Sequence, residues 1–321
     1  MADTKIEWTN GVWNPVTGCS KVSQGCKNCY AEGIAKRFFA TGYPPNDDGS
    51  LRTFTDVRCH EDRLDIPLRW KKTRRIFVNS MSDLFHPDVP FGFISKVFAV
   101  MGLCSQHTFQ VLTKRPERML EYVLQAKHRS PGFTEASVCM AHKVPGLTAD
   151  QIASLQFTAG NTWPLPNVWL GVSVEDQKTA DERIPLLLQT PAAVRWVSAE
   201  PLLGPIEFRG SWLNPTAQQA NPLGWVVVGG ESGPGARPMH PDWARSLRDQ
   251  CQAANVPFFF KQWGEWKQSD NPVESFNHNT GDFETITARV AFKRVGKHTA
   301  GRLLDGREWN EYPEAKQKGG E

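Results

Sequence analysis

The sequence predicts an α/β fold built on a mostly parallel sheet, and three observations support this prediction. The chain has 321 residues, enough for one large α/β barrel or for two ordinary domains. It is 40% hydrophobic and 22% charged, which is typical of a folded globular protein rather than a disordered one. Short apolar runs alternate along the chain with amphipathic stretches, as expected of repeated βα units.

The predicted strands are continuous apolar runs, a pattern typical of strands buried on both faces of a sheet. They cover residues 75–79, 109–113, 168–173, 194–198, 225–228 and 256–260. The predicted helices cover residues 27–40, 91–106, 116–127, 177–189 and 242–254. This alternation indicates one sheet whose strands are joined by crossover helices.

Polar or small residues follow five of the predicted strands. They lie at 79–83, 113–115, 173–176, 198–200 and 229–232. Functional groups collect at the carboxyl ends of the strands in barrels and open α/β sheets, so these positions form the candidate site. The alternative for any one position is that its Ser or Asp only caps the next helix.

Two segments interrupt the alternation of strands and helices. Residues 129–166 are rich in Pro, Gly, Thr and Ser and are too long for an ordinary βα connection, so they predict an insertion or lid. After Trp266 the chain becomes polar and loses strand periodicity. We therefore expect a barrel at 1–266 and a C-terminal extension at 267–321. The extension should fold back on the barrel through Phe292 and Trp309 and end in a frayed segment at 316–321.

Composition and missing motifs argue against several classes of function. Lys and Arg total 37 against 34 Asp and Glu, and a net charge of +3 does not by itself imply a polyanionic partner. The chain has no run of 18 apolar residues and no signal-like N-terminus, so we expect a cytoplasmic protein without a membrane partner. A phosphate loop, the G-x-G-x-x-G fingerprint and H-E-x-x-H spacing are missing, which argues against a nucleotide triphosphatase and a zinc protease.

The cysteines point to a metal centre near the N-terminus. There are seven, an odd number that fits poorly with a disulfide framework, and Cys19, Cys26 and Cys29 share one loop at 18–31 with C-x6-C-x2-C spacing. Thiolates select zinc or an iron–sulfur cluster. Structural zinc needs a fourth ligand, which would have to be Cys59 or His60. A [4Fe–4S] cluster held by three cysteines instead leaves one iron open to a small molecule. The remaining cysteines are expected to be dispensable for the metal: Cys59, Cys104, Cys139 and Cys251.

These residues resemble a known family. A three-cysteine loop that feeds a helix ahead of a βα barrel looks like the radical S-adenosylmethionine superfamily, and the motifs are most similar to the phage-associated three-cysteine-motif proteins. The resemblance covers about residues 5–266 and 296–306. The motifs that carry it lie at 17–19, 25–31, 77–85, 112–116, 171–175, 229–233 and 260–264.

The resemblance implies a partial (β/α)6-type TIM-like barrel whose [4Fe–4S] cluster binds the amino and carboxylate groups of S-adenosylmethionine. An electron donor would then drive cleavage of the sulfonium to a 5′-deoxyadenosyl radical. The sequence departs from the commonest superfamily spacing, C-x3-C-x2-C, by three extra residues in the first gap. Asn28 stands where an aromatic residue usually precedes the third cysteine, and Tyr30 follows that cysteine instead.

The polar strand ends supply the predicted cofactor contacts. The stretch 80–83 resembles the spore-photoproduct-lyase-like branch of the superfamily, in which Asp83 would accept from the cofactor's ammonium group; alternatively, Asp83 only caps a turn. Glu200 and Glu231 are the predicted catalytic carboxylates, unless they form buried ion pairs with Arg195 or Arg237. The predicted cofactor contacts are Tyr30, Ser80, Ser82, Asp83, Ser173, Glu175 and Glu200.

A basic run predicts a nucleic-acid substrate. Residues 69–75 carry five cations and one indole, a composition that could follow a phosphate backbone and stack on a base. The alternative is an ordinary solvated basic turn. The predicted nucleic-acid contacts are Arg69, Trp70, Lys71, Lys72, Arg74 and Arg75, extended by Lys114, Arg115 and Lys261 if these share a face with the run.

The favoured hypothesis is therefore an iron–sulfur radical enzyme that uses S-adenosylmethionine and acts on nucleic acid or a nucleotide. A second hypothesis is a non-enzymatic nucleic-acid-binding protein whose three cysteines hold structural zinc. A third is a barrel hydrolase that uses strand-end carboxylates. The cysteine loop ahead of a βα barrel favours the first, since a zinc module has no need of strand-end carboxylates and a hydrolase has no need of thiols. The sequence leaves the oligomeric state open.

Overall fold

The computed structural model describes residues 4–39, 49–128, 163–215, 221–268, 274–276, 283–285 and 291–314. Its strands are β1 (Gly11–Trp13), β2 (Val16–Thr17), β3 (Arg58–Cys59), β4 (Arg75–Val78), β5 (Thr108–Thr113), β6 (Val168–Val174), β7 (Val194–Ala199), β8 (Trp225–Gly229), β9 (Phe258–Gln262), β10 (Trp266–Gln268), β11 (Glu274–Phe276), β12 (Phe283–Thr285) and β13 (Phe292–Arg294). Its α-helices are α1 (Tyr30–Phe39), α2 (Phe91–Leu103), α3 (Pro116–His128), α4 (Gln177–Gln189), α5 (Gly210–Leu213), α6 (Pro241–Ala253) and α7 (Lys297–Ala300).

Seven strands form one parallel sheet in the order β1-β4-β5-β6-β7-β8-β9. The sheet curls into a half-barrel with helices around it, which confirms the predicted partial barrel. The six predicted apolar runs form β4 to β9, each starting within two residues of its predicted position. The seventh strand, β1, has only three residues, too few for a periodic pattern.

The five predicted helices form as α1, α2, α3, α4 and α6. Helix α4 begins where the sequence predicts because Asp176 and Thr179 form a capping box. Helix α6 begins at Pro241, whose missing N–H costs nothing at a first helical position, and the His240 ring accepts from the Asp242 N–H. These helices cover the outer face of the sheet, where buried side chains such as Val78, Val172 and Val226 join one large core.

The inner face of the sheet carries a second, aromatic core. Trp8 packs at 5.3 Å from Trp196, which lies 5.2 Å from Trp225. Gly171 makes room for this packing, since a Cβ at that position would lie 2.5 Å from the Trp196 ring. We call this cluster the aromatic plug, since it fills the barrel at the amino-terminal half of the strands: Trp8, Trp169, Trp196, Trp225, Phe259 and Tyr312.

The segments that interrupt the alternation are described only in part. Most of the predicted insertion, at 129–162, and the predicted frayed end, at 316–321, lie outside the described residues. In the C-terminal part, Trp309 packs its ring 5.8 Å from that of Phe258, and Phe292 lies 6.5 Å from the His240 ring. The division of the chain at residue 266 stays a prediction.

No helix among the described residues combines the length and the apolar character that crossing a membrane requires.

Candidate cofactor cavity

A cavity of about 610 Å³ opens at the carboxyl ends of the sheet strands. The three thiols of Cys19, Cys26 and Cys29 line it from one loop. Side chains that follow the strands line the rest, among them Asp83 after β4 and Glu200 after β7. The structure therefore brings the cysteine loop and most of the polar strand ends together around one cavity, as parallel topology requires.

The cysteine loop is held by polar contacts to several strands. The Ser23 hydroxyl donates to Glu175 Oε1 at 2.9 Å, and the Asn28 amide donates to the Gly235 carbonyl at 2.6 Å and to Glu231 Oε2 at 3.1 Å. Arg237 donates to the Gln24 carbonyl at 3.0 Å. The loop is thus tied to the ends of β6 and β8 before any ligand binds.

Arg115 ties the first cysteine to Asp83. Its guanidinium donates to Asp83 Oδ2 at 2.9 Å, to the Ser20 carbonyl at 2.9 Å and to Cys19 Sγ at 3.7 Å. Burial and the nearby Asp83 charge raise the pKa of the Cys19 thiol to about 11, and Arg115 opposes them. Arg115, which contacts the Cys19 sulfur, is therefore the cation that would stabilise a Cys19 thiolate.

Asp83 is already saturated with hydrogen bonds. Besides Arg115, it accepts from the Thr113 hydroxyl at 2.7 Å, from the Lys114 N–H at 3.1 Å and from the Phe85 N–H at 3.0 Å. The contact to Phe85 is the turn cap that the sequence left as the alternative. Asp83 lines the cavity, and its main observed role is to hold Arg115 and the end of β5.

Glu175 lies behind the cysteine loop instead of in the cavity. Its carboxylate is fully buried and pairs with Lys114 and with Arg183, the latter at 3.2 Å. Burial would raise the pKa of Glu175, but the two cations hold it below its usual value. A Cβ on Gly25 would come within 2.4 Å of Glu175 Oε1. Glu175 is not among the residues that line the cavity, and its contact with the cofactor stays a prediction.

Both predicted catalytic carboxylates, Glu200 and Glu231, line the cavity, and each forms an ion pair with a basic side chain. Glu231 pairs with Arg237 at 2.6 Å, which is one of the pairs that the sequence left open. Burial would raise the pKa of Glu231, but hydrogen bonds from Arg237 and Asn28 hold it below its usual value. Glu200 pairs with Lys261 at 3.0 Å and not with Arg195. Arg195 instead donates to the carbonyls of Thr190 and Asn221.

The other predicted cofactor contacts line the cavity and are hydrogen-bonded within the protein. The Tyr30 hydroxyl donates to the Ser80 carbonyl at 2.5 Å, and the Ser82 hydroxyl donates to the Val16 carbonyl at 2.8 Å. The Ser173 hydroxyl donates to the Glu200 carbonyl at 2.9 Å. Their roles toward a cofactor stay predictions.

The basic run does not share a face with Lys114, Arg115 and Lys261. It precedes β4 and so lies at the amino-terminal edge of the sheet, whereas these three cations lie at carboxyl ends and pair with carboxylates. Within the run, Arg69 pairs with Asp65, Arg74 lies 5.2 Å over the Trp70 ring, and Arg75 stacks on Tyr312 at 4.0 Å. Trp70 itself packs against the core. Lys71 and Lys72 are exposed. Strand polarity therefore separates the run from the other three cations, and the contact of either part with nucleic acid stays a prediction.

Three further residues line the cavity, and of these only Asn79 lies in a segment that the sequence marked as part of the candidate site. Asn79 has a left-handed backbone, with φ of 62°, and its side-chain oxygen accepts from the Val16 N–H. Gln262 ends β9 and donates to the Gly230 carbonyl at 2.8 Å. Trp8 precedes every predicted element. The polar residue at the end of β9 was a usable signal for Gln262, but nothing local marks Trp8.

The remaining described cysteines are not placed to join the three in the loop. Cys104 and Cys251 are buried in the outer core, and Cys59 packs beside it in β3. His60 bonds to Thr17 at 2.8 Å. Among the described residues, no group of three or more His, Cys, Asp or Glu side chains is spaced to hold a single metal ion. Cys139 lies outside the described residues.

Comparison with known proteins identifies one family. The family model described as "Protein of unknown function (DUF5131)" matches residues 3–313. That description names neither an activity nor a phage association. No curated protein matches the chain.

Two solved structures, both variants of spore photoproduct lyase, resemble the fold distantly. One has a TM-score of 0.38 and 10% sequence identity, over 79% of this chain and 75% of the other. The second has a TM-score of 0.40 and 9% identity, over 82% and 78%. These scores are too low to indicate a shared chemistry.

Proposed function

The chain belongs to the family described as "Protein of unknown function (DUF5131)", and we propose that it is an iron–sulfur enzyme of the radical S-adenosylmethionine type. The observation that carries the proposal is that three thiols from one loop line a cavity at the carboxyl ends of a parallel half-barrel. Soft thiolates of this number suit a [4Fe–4S] cluster with one iron left for a small ligand.

The residues around the thiols fit such a group. Cys19, Cys26 and Cys29 would hold the cluster, and no fourth cysteine of the described residues lines the cavity. A bound cluster, reduced by an external donor, would supply one electron for reductive cleavage of the C5′–S bond of S-adenosylmethionine, the chemistry by which enzymes of this type generate an organic radical.

The protein's own side chains would orient the cluster and exclude water. Arg115 would donate to the Cys19 sulfur, and hydrogen bonds to ligand sulfurs tune the potential of iron–sulfur centres. Asn28 and Ser23 hold the loop at the other two cysteines through Glu231 and Glu175. The aromatic plug closes the opposite end of the barrel, which supports radical chemistry by keeping bulk water from that side.

Anaerobic reconstitution tests the proposal. The protein should take up about four iron and four sulfide per chain and show a broad visible absorption that bleaches on reduction. With a reductant and S-adenosylmethionine it should release 5′-deoxyadenosine. Failure to take up iron, or uptake with no deoxyadenosine, would contradict the proposal.

A pair of variants distinguishes the cluster from structural zinc. Cys26→Ala should abolish iron uptake, whereas Cys59→Ala should leave it unchanged, because Cys59 packs beside the outer core. If the purified protein instead holds one zinc per chain that is lost in Cys59→Ala, the zinc-binding alternative is correct.

A further inference from the structure

A buried histidine contacts the cysteine loop at the residue that follows its first thiol. His86 lies in the turn after β4 and is 4% exposed, and its ring Nε2 is 2.7 Å from the hydroxyl oxygen of Ser20. The other ring nitrogen, Nδ1, accepts from the backbone N–H of Asp88 at 3.2 Å. Both ring nitrogens therefore have partners, and the ring joins the turn after β4 to the loop beside Cys19.

The contacts of His86 determine which ring nitrogen carries its proton. Burial and the nearby Arg115 charge lower the pKa of His86, so the ring is neutral at pH 7 and has one N–H. Nδ1 accepts from the Asp88 N–H, and the Asp88 carboxylate is 3.6 Å away, too far to accept from it. The proton is therefore on Nε2, and His86 donates to Ser20. This direction excludes Ser20 as a nucleophile activated by His86, because a general base would have to accept the hydroxyl proton.

The Ser20 hydroxyl oxygen accepts from a second donor as well. Arg115 Nη2 donates to it at 2.9 Å, and Arg115 Nη1 donates to Cys19 Sγ at 3.7 Å. A hydroxyl oxygen has two lone pairs and one proton, so the two donors occupy both lone pairs. The proton points away from both donors, and no acceptor for it is found among the described residues. Because Ser20 lines the cavity, this proton is available to a group bound there.

The position of Ser20 in the loop indicates what that group is. Ser20 directly follows Cys19, and one guanidinium contacts both residues. The sulfurs of an iron–sulfur cluster are anionic and accept hydrogen bonds, and these bonds favour the reduced cluster because it carries one more negative charge. A purely structural role for His86 would explain its tie to the loop, but it would leave the potential of the cluster unaffected.

We propose that Ser20 donates a hydrogen bond to a sulfur of the cluster and that His86 is a positioning residue, which directs the hydroxyl proton into the cavity. The inference rests on the proposed function for the presence of the cluster. The hydrogen bond stabilises the reduced cluster, so it makes the cluster easier to reduce by an external one-electron donor.

Redox titration of the reconstituted protein, without S-adenosylmethionine, tests the hydrogen bond. The ratio of reduced to oxidised cluster is followed by visible absorption at a series of fixed potentials. Ser20→Ala should lower this ratio about ten-fold at a given potential, the loss expected for one hydrogen bond, which for a one-electron couple is a shift of about 59 mV to more negative potential. Ser20→Thr keeps the hydroxyl and should stay within about two-fold of the unaltered protein. An unchanged ratio in Ser20→Ala overturns the proposal.

A second pair of variants tests the positioning role and leaves the sequence of the loop intact. His86→Phe removes the Nε2–H, so the Ser20 hydroxyl can turn its proton elsewhere and the ratio should fall severalfold. His86→Gln, whose side-chain amide can still donate to Ser20, should restore the ratio. His107→Phe is the control, since His107 is also buried, at 1% exposed, but does not line the cavity, and its ratio should be unchanged.

The positioning role is rejected if His86→Phe keeps the ratio of the unaltered protein, or if His86→Gln is as low as His86→Phe. If Ser20→Ala takes up no iron, this pair alone decides the proposal. An unchanged potential in Ser20→Ala with weaker binding of S-adenosylmethionine would assign the hydroxyl to that ligand and reject the bond to the cluster.

Failure of this inference is distinguishable from failure of the proposed function. An unaltered protein that takes up no iron rejects both. A protein that takes up the cluster and releases deoxyadenosine, but has the same potential in all of these variants, rejects this inference alone.

Discussion

At the scale of single residues, the structure pairs Asp83 with Arg115. The sequence offered one as a cofactor contact and the other as a phosphate contact, but they form a buried ion pair at 2.9 Å. Their side chains are 8% and 10% exposed, and the pair carries hydrogen bonds to Ser20 and Cys19. A sequence pattern could not show this pairing, because the two residues are 32 positions apart and meet only when β4 and β5 align.

Asp83→Ala should destabilise the protein by about 3 kcal/mol, because it leaves the Arg115 charge buried without a partner. Urea unfolding at neutral pH measures this change. Asp305→Ala is the control: Asp305 also bonds two arginines, Arg245 and Arg248, but it is 38% exposed. Asp305→Ala should lower the free energy of unfolding by less than about 1 kcal/mol. If both variants lost the same free energy of unfolding, burial of the Asp83–Arg115 pair would not increase its contribution to stability.

Gly25→Ala should displace the cysteine loop while leaving the global fold intact. The added Cβ would lie 2.4 Å from Glu175 Oε1, and this carboxylate cannot retreat because Lys114 and Arg183 hold it. Iron uptake on reconstitution should fall severalfold. In Gly33→Ala, the matched control in α1, the Cβ meets open space, so uptake should persist and stability should rise by about 0.5–1 kcal/mol. Full iron uptake in Gly25→Ala would contradict the predicted displacement of the cysteine loop.

At the scale of secondary structure, the elements with strong local signals were predictable. Continuous apolar runs gave β4 to β9, and the Asp176 capping box fixed the start of α4. Strands of two or three residues, such as β1 and β2, were not predictable because their pairing is decided by distant partners. Parallel topology alone places most of the candidate-site residues at one edge of the sheet, the carboxyl ends of the strands. The same topology excluded the basic run, because residues before β4 face the other edge.

The short antiparallel pair of β2 and β3, next to the cysteine loop, should respond to acid. Burial and the nearby Arg63 lower the pKa of His60 from 6.5 to about 4, and the His60 ring bonds to Thr17. Between these pKa values the unfolded chain binds a proton that the folded chain does not. Stability should therefore be full above pH 6.5 and should fall as the pH drops toward 4.

Urea midpoints at pH 7.5, 6 and 5 measure this effect. His60→Gln removes the titrating group, and its stability should decline less over the same range than that of the unaltered protein. Parallel pH dependences in the two proteins would show that other groups account for the acid sensitivity.

At the scale of the whole molecule, the C-terminal segment shares both cores of the half-barrel. Trp309 and Leu304 join the outer core, and Tyr312 packs 5.5 Å from Trp225 in the aromatic plug. Asn310 also forms a β-bridge to Phe259 of β9. These contacts pack residues 291–314 against both cores, and a domain boundary after residue 266 stays a prediction.

A chain that ends at residue 266 should lose cooperative unfolding, because it exposes Trp225, Phe258 and Phe259. Thermal unfolding followed by tryptophan fluorescence measures this. A chain that ends at residue 314 keeps all of these contacts and serves as the control. A sharp transition at an unchanged Tm in the shorter chain would establish 1–266 as an independent domain.

The aromatic plug makes the two ends of the half-barrel unequal. Trp8, Trp196 and Trp225 are buried at the amino-terminal half of the strands, so a molecule that approached the cavity from that side would have to displace buried indole rings. Approach from the carboxyl ends of the strands, beside the cysteine loop, displaces none of them.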